Sequence, residues 1–397
     1  LVVVDDSREP DNQAANREAV AVFNTRSATS MGYFGADAQQ QLMDALISEL
    51  GEHEQGIRFL LDRSEWAGKK TYGRSRTLSL LLSVGYRAIV MDDDILCEAY
   101  LPPIMEEGLG FGGGDRKAAF FTDDGDMQRH MAPAGFGALE GHASLLGSPL
   151  GYALAELNGA ALQPSQLDGV NATLANVLDA QGKVLITQCG SWGDGGTADA
   201  HWGLNLGTDS IERLITAPHG ISNALGSSTN WLGSSRPNIV KMAFMSQMTG
   251  LDNTQLLPPY FTAFRGEDQL FGAMVEYMHH DGTTLEYGWG VPHLPVDERA
   301  SSEYKLYIRE WDPIQHSGIG YGFKAYSEGL SWCYLTLSTE NPDPNAFGRV
   351  YDDLIFHLRG ATFLGERPRP VLGVLQERSY SSFIDRAYRA TNAIIPV

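Results

Sequence analysis

Three adjacent aspartates, Asp92, Asp93 and Asp94, are the residues of this sequence whose types and spacing are best suited to chemistry. Neighbouring carboxylates repel one another, and folding alone gives no reason to place three together. A hard divalent cation would relieve that repulsion, because Mg²⁺ and Mn²⁺ take carboxylate oxygens as ligands. The apolar run over residues 88–91 leads directly into them, which predicts that they follow a buried strand. The alternative is a solvated acidic turn without a metal.

A second pair of carboxylates, Glu267 and Asp268, opens a predicted helix. Apolar residues recur at helical spacing from Asp268 to Met278, as expected for a helix with one buried face. Carboxylates in a first helical turn are favoured by the helix dipole, so the pair could be only an N-terminal cap. It could equally supply a catalytic base that the helix holds in a fixed position.

Two further motifs carry side chains that bind ions. His293 stands close to Pro292 and Pro295, which predicts a stiff loop and either a metal ligand or an ordinary surface histidine. Arg74 and Arg76 lie at the start of a helix predicted over residues 73–84. They could meet the phosphates or base of a nucleotide, or be solvated charges.

The elements that must position these residues alternate between strands and helices along the first hundred residues. Predicted strands cover residues 1–4, 57–61 and 88–91, and predicted helices cover 37–49 and 73–84. This order is typical of an α/β domain with parallel strands, in which ligands bind outside the carboxyl ends of the strands. Asp5 and Asp6 follow the first strand, which begins as if already in progress and so indicates that residues precede Leu1.

The middle and the end of the chain have weaker patterns. Residues 108–231 are rich in Gly, Ala, Ser and Asn, which predicts an insertion of short helices and loops packed over the α/β core. Within it, residues 187–206 contain the aromatic and polar mixture found around sugars, although a packed Trp-rich loop fits equally well. Trp192, Asp194, His201 and Trp202 belong to this stretch. Helices are predicted over 303–309 and 351–358.

Composition limits the class of protein. The 397 residues are 43% hydrophobic and 20% charged, and the formal net charge is −20. A surface this acidic repels a phosphate backbone, which argues against general nucleic-acid binding. Cys97, Cys189 and Cys333 are far apart, so a zinc ribbon or a disulfide framework is not expected and a reducing compartment fits. No apolar run approaches the ~20 residues of a membrane span. We expect a cytoplasmic protein, or one that is peripheral at a membrane.

Taken in order, these motifs resemble those of a GT-A-fold glycosyltransferase of the family-2 type. The resemblance covers residues 1–106 and 240–297 and rests on Val4-Asp5-Asp6-Ser7, Gly73-Arg74-Ser75-Arg76-Thr77-Leu78, Gly85, Ile89-Val90-Met91-Asp92-Asp93-Asp94, Gly266-Glu267-Asp268 with Phe271, and His293. The chain departs from the pattern in the long separation between Asp94 and Asp268, and residues after 300 carry no motif of the family.

The resemblance implies a Rossmann-like α/β fold with a mostly parallel central sheet flanked by helices. It implies a glycosyltransferase domain over residues 1–300, with the insertion at about 108–235, followed by a mainly helical C-terminal extension over 301–397. The implied activity is an inverting, metal-dependent transfer of a sugar from a nucleotide-sugar donor to a hydroxyl acceptor. A retaining or metal-independent reaction is also consistent with the motifs.

The same resemblance implies roles for individual residues. Mn²⁺ or Mg²⁺ would be held by Asp92, Asp94 and His293, with Asp94 the more direct ligand. Asp268 would deprotonate the acceptor, and Glu267 would assist it or orient the acceptor. The donor nucleotide would contact Asp5, Asp6, Arg74, Arg76 and Asp93, and the acceptor would contact Trp192, Asp194, His201 and Trp289. The acceptor could be a glycan, a lipid-linked molecule or a protein, and the C-terminal helices could form a homodimer.

Two other classes of protein stay open. In a phosphohydrolase of the haloacid dehalogenase type, Asp92 and Asp94 would be the nucleophile and the general acid, with Asp352 and Asp353 as the later acidic pair. Leu96 then occupies a position where Thr or Val is expected. A non-catalytic carbohydrate-binding protein would use the Trp and Tyr content and leave the three aspartates without a role.

Overall fold

The computed structural model describes residues 1–295, apart from 70, 113–115, 168–169, 171–173, 176–177, 196–205, 221–223, 225, 244–246 and 263–266. His201, Trp202, Asp352, Asp353 and the predicted C-terminal helical extension lie outside these residues. The helices of the described part are α1 Pro10–Arg26, α2 Ala36–Glu49, α3 Glu54–Leu61, α4 Tyr72–Leu82, α5 Asp124–His130, α6 Ala138–Leu145, α7 Leu150–Asn158, α8 Thr208–Ile215 and α9 Glu267–Met278. None of them is long and apolar enough to cross a bilayer.

The strands of the same residues form two sheets. They are β1 Val2–Val4, β2 Gly32–Phe34, β3 Arg87–Met91, β4 Glu98–Leu101, β5 Gly110–Phe111, β6 Lys117–Phe120, β7 Ala132–Gly137, β8 Val184–Gly193, β9 Asn230–Gly233, β10 Asn238–Val240, β11 Met248–Asp252 and β12 Thr283–His293. β1 and β2 make a small parallel sheet, and the other ten strands make a large one. The predicted α/β class is therefore confirmed.

The small sheet packs on helices α2, α3 and α4 through a core that includes Met43, Leu61 and Leu78. The helices predicted over 37–49 and 73–84 are confirmed by α2 and α4. The strand predicted over 57–61 is wrong, because this segment lies in α3. Ile57, Leu60 and Leu61 have the spacing of one helix face, and all three pack in this core.

The large sheet has the path β3-β11-β8-β12-β10-β5, with β4, β6, β7 and β9 paired at its sides. Within the described residues, β8 with β12 and β5 with β10 are its parallel pairs, and its other pairs are antiparallel. The prediction of a mostly parallel sheet is therefore wrong. The physical reason is that β11 runs between β3 and β8 in the opposite direction and pairs with both.

Strand β8 lies in the middle of the large sheet, and all ten of its residues are buried. The segment predicted to pack over the core as short helices and loops thus supplies a central strand. Polar residues at buried positions, such as Thr187, Gln188 and Ser191, interrupt the apolar run that marks a strand buried on both faces.

Helices cover both faces of the large sheet. On β3, Ile89 packs in a cluster covered by α6 and α7, and its neighbour Val90 packs in a second cluster that includes Phe271 and Val275 of α9. Adjacent strand residues point to opposite faces, so the two clusters lie on either side of the sheet. β3, β8 and β12 run in one direction, and their carboxyl ends therefore share one edge, between these two helical layers.

The burial of the His142 imidazole gives the packing of α6 on this sheet a measurable consequence. It is fully buried, its Nδ1 lies 2.9 Å from Thr187 Oγ1, and burial lowers its pKa to about 3. The unfolded chain therefore takes up a proton on this residue near pH 6.5 and the folded chain does not, so stability falls as the pH drops below that value. Between pH 7.5 and 5.0 we expect a loss of about 2 kcal/mol from this histidine.

The measurement is urea unfolding at both pH values for the native chain, His142→Gln and the matched control His53→Gln, whose histidine is exposed. The native chain and the control should each lose about 2 kcal/mol more than His142→Gln on acidification. An equal loss in all three proteins would show that His142 is not buried in its neutral form.

Candidate functional site

Three strand ends meet at one edge of the large sheet and bring the predicted ion-binding residues together. Asp92 to Asp94 follow β3, Asp194 follows β8, and His293 is the last residue of β12. Backbone hydrogen bonds fix these ends: the N–H of Asp194 donates to the carbonyl of His293 at 3.0 Å, and the N–H of Leu294 donates to the carbonyl of Asp94 at 2.9 Å. We call Arg76, Asp92, Asp94, Asp194, Asp268 and His293 the acidic cluster.

Arg76 of α4 joins two carboxylates that are far apart in the sequence. Its Nη2 lies 2.7 Å from Asp92 Oδ1, and its Nε lies 3.9 Å from Asp268 Oδ1. Its Cζ lies 5.8 Å from the ring centroid of Tyr260, which is buried. Burial alone would lower the pKa of Arg76, but Asp92 and Asp268 raise it above its ordinary value. The guanidinium is therefore charged and connects α4, the end of β3 and the start of α9.

Asp92 is a carboxyl group that titrates close to neutral pH. Desolvation raises its pKa to about 6, with added repulsion from Asp268 and Asp94 and opposing attraction from Arg76 and His293. Burial thus outweighs the guanidinium at this position. A bound cation would favour the charged form of this group.

His293 is held on both ring nitrogens. Nδ1 lies 2.9 Å from the carbonyl oxygen of Asp194, and Nε2 lies 3.1 Å from Asp94 Oδ2. A carbonyl only accepts, so Nδ1 donates its proton. Burial lowers the pKa of His293, but the hydrogen bonds to Asp94 and Asp194 outweigh it and raise that pKa overall. The ring is then an imidazolium that donates to Asp94, or, once Nε2 loses its proton, a ligand with a lone pair directed toward Asp94.

Some residues of the acidic cluster are placed where they could be ligands of a divalent cation. Among the described residues, no three His, Cys, Asp or Glu side chains are already arranged around a common metal position. Asp94 and His293 are neighbours and fit two ligand positions, with the Asp194 carbonyl orienting the ring as such carbonyls do in metal sites. Asp92 is held by Arg76. Mg²⁺ and Mn²⁺ sites that use one or two protein ligands complete their shells with water and phosphate oxygens.

The two acidic residues at the start of α9 differ in their exposure to solvent. Asp268 has a side chain that is 25% exposed, and its Oδ1 is buried and has no hydrogen-bond partner in the described residues. Glu267 is buried. Asp268 is thus the carboxylate of α9 that faces the acidic cluster and is also within reach of solvent.

The other arginine of α4 faces away from the cluster. Residues two apart on a helix are rotated by about 200°, so Arg74 points to the opposite side from Arg76. Arg74 is buried, and its Nη1 donates to Asp6 Oδ1 at 2.5 Å and to Gln39 Oε1 at 2.8 Å. These contacts tie the small sheet to α4. The predicted contact of Arg74 and Asp6 with a nucleotide would compete with this internal bonding.

Asp5 is likewise bound within the small sheet. Its carboxylate accepts hydrogen bonds from Tyr33 Oη at 2.6 Å and from the N–H of Ser7 at 2.8 Å. Burial raises the pKa of Asp5, and these hydrogen bonds lower it by more. Asp93, in contrast, is exposed at the turn after β3.

The predicted acceptor residues are dispersed. Asp194 lies in the cluster and Trp192 is fully buried, with its ring stacked on Phe121 at 5.7 Å between centroids. Trp289 is packed against Tyr287, nearer the start of β12.

The loop predicted around His293 is wrong, because this residue ends a strand and is buried. Pairing of Pro292 with Trp192 on β8 carries the strand through the proline.

Two features of the site were missed from the sequence. The carbonyl of Asp194 orients His293, and Arg76 pairs with Asp92 and Asp268 instead of facing solvent. A backbone contact leaves no signal in a sequence. The signal for Arg76 is its place on a helix next to Thr77 and Leu78, which are also buried.

Removing the charge of Arg76 should destabilise the fold. Arg76→Gln leaves Asp92 and Asp268 facing each other without the guanidinium, and we expect a loss of about 2 kcal/mol, less than for a fully buried pair because Asp92 retains solvent contact. In Arg76→Gln/Asp92→Asn much of this loss should be recovered. Urea unfolding at pH 7.5 measures both.

The matched control is Arg58→Gln, which breaks the ion pairs of an exposed arginine with Glu54 and Asp62 and should cost much less stability. A cost at position 76 equal to that of the control, or full additivity of the two substitutions, would contradict the described ion pair.

No protein-family model, no curated protein and no solved structure matches this chain. Its function is therefore inferred from the chemistry of the acidic cluster.

Proposed function

We propose that this protein is a metal-dependent glycosyltransferase that moves a sugar from a nucleotide-sugar donor to a hydroxyl group, with inversion at the anomeric carbon. The observation that carries the proposal is the pairing of Arg76 with both Asp92 and Asp268. This pairing brings Asp92, which follows β3, and Asp268, at the start of α9, into one cluster, although the two residues are far apart in the sequence. Transfer of this kind needs a cation-binding group and a separate base close together.

The cation-binding group is the pair Asp94 and His293. When bound there, a divalent cation would neutralise the charge that develops on the departing diphosphate. The Asp194 carbonyl holds the imidazole so that Nε2 faces Asp94. Asp92 adds a further carboxylate beside this position, held by Arg76.

The base is Asp268. Its carboxylate, on a side chain that is 25% exposed, would accept the proton of the acceptor hydroxyl. The acceptor oxygen then bonds to the anomeric carbon as the bond between that carbon and the diphosphate oxygen breaks. Arg76 attracts the same carboxylate electrostatically, with its Nε 3.9 Å from Asp268 Oδ1. Glu267 supports the same helix start.

The donor nucleotide would meet the exposed carboxylate of Asp93 next to the cluster. Asp5 and Asp6 after β1 and Arg74 of α4 would contribute indirectly, since their side chains bond to other groups of the protein. A phosphohydrolase would use Asp92 as its nucleophile, but this carboxylate is engaged by Arg76.

Replacing the proposed base, Asp268, should slow the transfer step without weakening the binding of the nucleotide. Asp268→Asn keeps the shape of the side chain but cannot accept the proton, so the transfer rate should fall by at least about 100-fold. Binding of the nucleoside diphosphate with Mn²⁺ should change by less than about threefold, because the cation is held elsewhere. Single-turnover transfer assays and calorimetry measure the two quantities.

Asp37→Asn is the matched control for this substitution, because Asp37 also lies in the first turn of a helix and makes the same favourable interaction with the helix dipole. It should leave the transfer rate unchanged. Near-normal turnover in Asp268→Asn would remove this residue from the role of base.

The cation should compete with the proton on His293. Because the pKa of His293 is raised, Mn²⁺ must displace a proton from Nε2, and its affinity should rise with pH, by up to about tenfold per unit below that pKa. Calorimetry in buffers of different ionisation enthalpy should detect the released proton. His293→Gln should abolish the release and weaken binding by at least about tenfold.

His130→Gln serves as the control, since this histidine is on the exposed part of α5. It should bind Mn²⁺ as the native chain does and release the same proton. Unchanged affinity and proton release in His293→Gln would exclude His293 as a ligand.

A further inference from the structure

We propose that a cavity next to β12, separate from the acidic cluster, binds an uncharged, ring-bearing small molecule that carries a hydroxyl group. The inference goes beyond the proposed transfer reaction and does not depend on it. The cavity has a volume of about 530 Å³. Its walls come from Tyr287 and Trp289 of β12, from Ser144 of α6 and from residues 101–102, 105–106 and 235–237.

Size and lining point to a small molecule as the occupant. Cavities that hold metabolites or drug-sized ligands enclose about 300–1,000 Å³ and are mostly apolar. Here apolar side chains predominate in the lining, and two of them are exposed: Met105 is 68% exposed and Phe136 is 42% exposed. Large apolar side chains at the mouth of an apolar cavity are typical of a binding site.

The aromatic walls favour a ring over a flexible chain. The rings of Tyr287 and Trp289 stack with centroids 5.3 Å apart and planes 25° apart. Phe136 meets Trp289 edge-on, at 5.7 Å and 79°. A flat ligand ring can therefore stack on one wall while its edge meets another, which are the two favoured geometries of aromatic pairs.

Two of the three charged side chains in the lining, Glu106 and Arg236, are paired with each other, and the third, Glu140, is exposed to solvent. Glu106 accepts a hydrogen bond from Ser235 Oγ at 2.8 Å and pairs with Lys117 at 3.3 Å and Arg236 at 3.8 Å. The hydrogen bond from Ser235 and the two cations lower the pKa of Glu106, so it is ionised. Because these charges balance locally, an uncharged ligand fits better than an ion.

A small polar spot interrupts the apolar wall. Ser144 Oγ donates to the carbonyl of Gly141 at 2.8 Å and lies 3.3 Å from Tyr287 Oη. The two oxygens retain hydrogen-bonding capacity that one ligand hydroxyl could satisfy. A single polar contact in an apolar cavity fixes the orientation of a ligand.

The cavity and the acidic cluster are separate sites on one strand. Trp289 precedes His293 by four residues of β12, which corresponds to about 13 Å at ~3.3 Å per residue. Val291 lies between them and is fully buried. Loss of one site should therefore leave the other intact.

The test uses the native full chain and 2-naphthol as the probe, with binding followed by the fluorescence of the probe. We expect saturable binding of one molecule per chain with a Kd of roughly 0.1–1 mM, the range for a ligand of this size. Ser144→Leu places an apolar side chain at the polar spot and should weaken binding by at least about tenfold. Ala143→Leu, at the neighbouring exposed position of α6, should leave binding unchanged.

Circular dichroism checks that both variants are folded. If Ser144→Leu is not folded, Met105→Asp at the exposed mouth of the cavity takes its place. Weaker binding of n-hexanol and of 2-naphthalenesulfonate than of 2-naphthol would support a ring-bearing, uncharged ligand. Absence of saturable 2-naphthol binding at 5 mM (about five times the weakest expected Kd), equal binding in the Ser144→Leu and Ala143→Leu variants, or preference for the sulfonate would overturn the proposal.

Discussion

The buried guanidinium of Arg76 is the constraint on which the arrangement of this protein depends. A charge removed from water needs partners close by, and the cost of leaving it unpaired is several kcal/mol. Its partners, Asp92 and Asp268, come from the end of β3 and from the start of α9. The fold must therefore hold a strand end and a helix start on the same side of α4, and this requirement assembles the acidic cluster.

Helix α4 also connects the two sheets. Its Arg74 binds Asp6 at the end of β1, on the side of the helix opposite to Arg76. Close packing supports this position: a Cβ on Gly73 would lie 1.8 Å from the carbonyl oxygen of Phe261, so only glycine fits there. The small sheet thus contributes to the site indirectly, through the helix that it anchors.

Local signals in the sequence predicted the parts of the fold whose residues form continuous patterns. Helices α2, α4 and α9 have apolar stripes, and β3 is an apolar run that ends in charges. The predicted burial of β3 is wrong, because it lies at the end of the described sheet path and none of its residues is buried. The acidic cluster followed from the same motifs, because Asp92, Asp94, Asp268 and His293 were all chosen from their local context. The segment Ile57 to Leu61, which lies in α3, is a short apolar run of a kind that fits a strand or a helix equally well. Its packing against other segments decides between the two.

The rest depended on contacts between distant segments. β8 is central because β11 and β12 pair on either side of it, and its buried polar residues gave no strand signal of their own. The orientation of His293 comes from the carbonyl of Asp194, 99 residues away in the sequence. Pairing direction, and with it the largely antiparallel sheet, is a property of the assembled chain that local periodicity does not encode.

In the proposed reaction, the acidic cluster binds a nucleoside diphosphate through a divalent cation. The most direct test is the thermal unfolding of the native chain with a panel of nucleoside diphosphates and nucleotide sugars, each with Mn²⁺ and with a chelator. We expect at least one nucleotide to raise the unfolding temperature by several degrees in the presence of Mn²⁺ and to have little effect without it. Equal shifts with and without the cation, or no shift with any nucleotide, would contradict it.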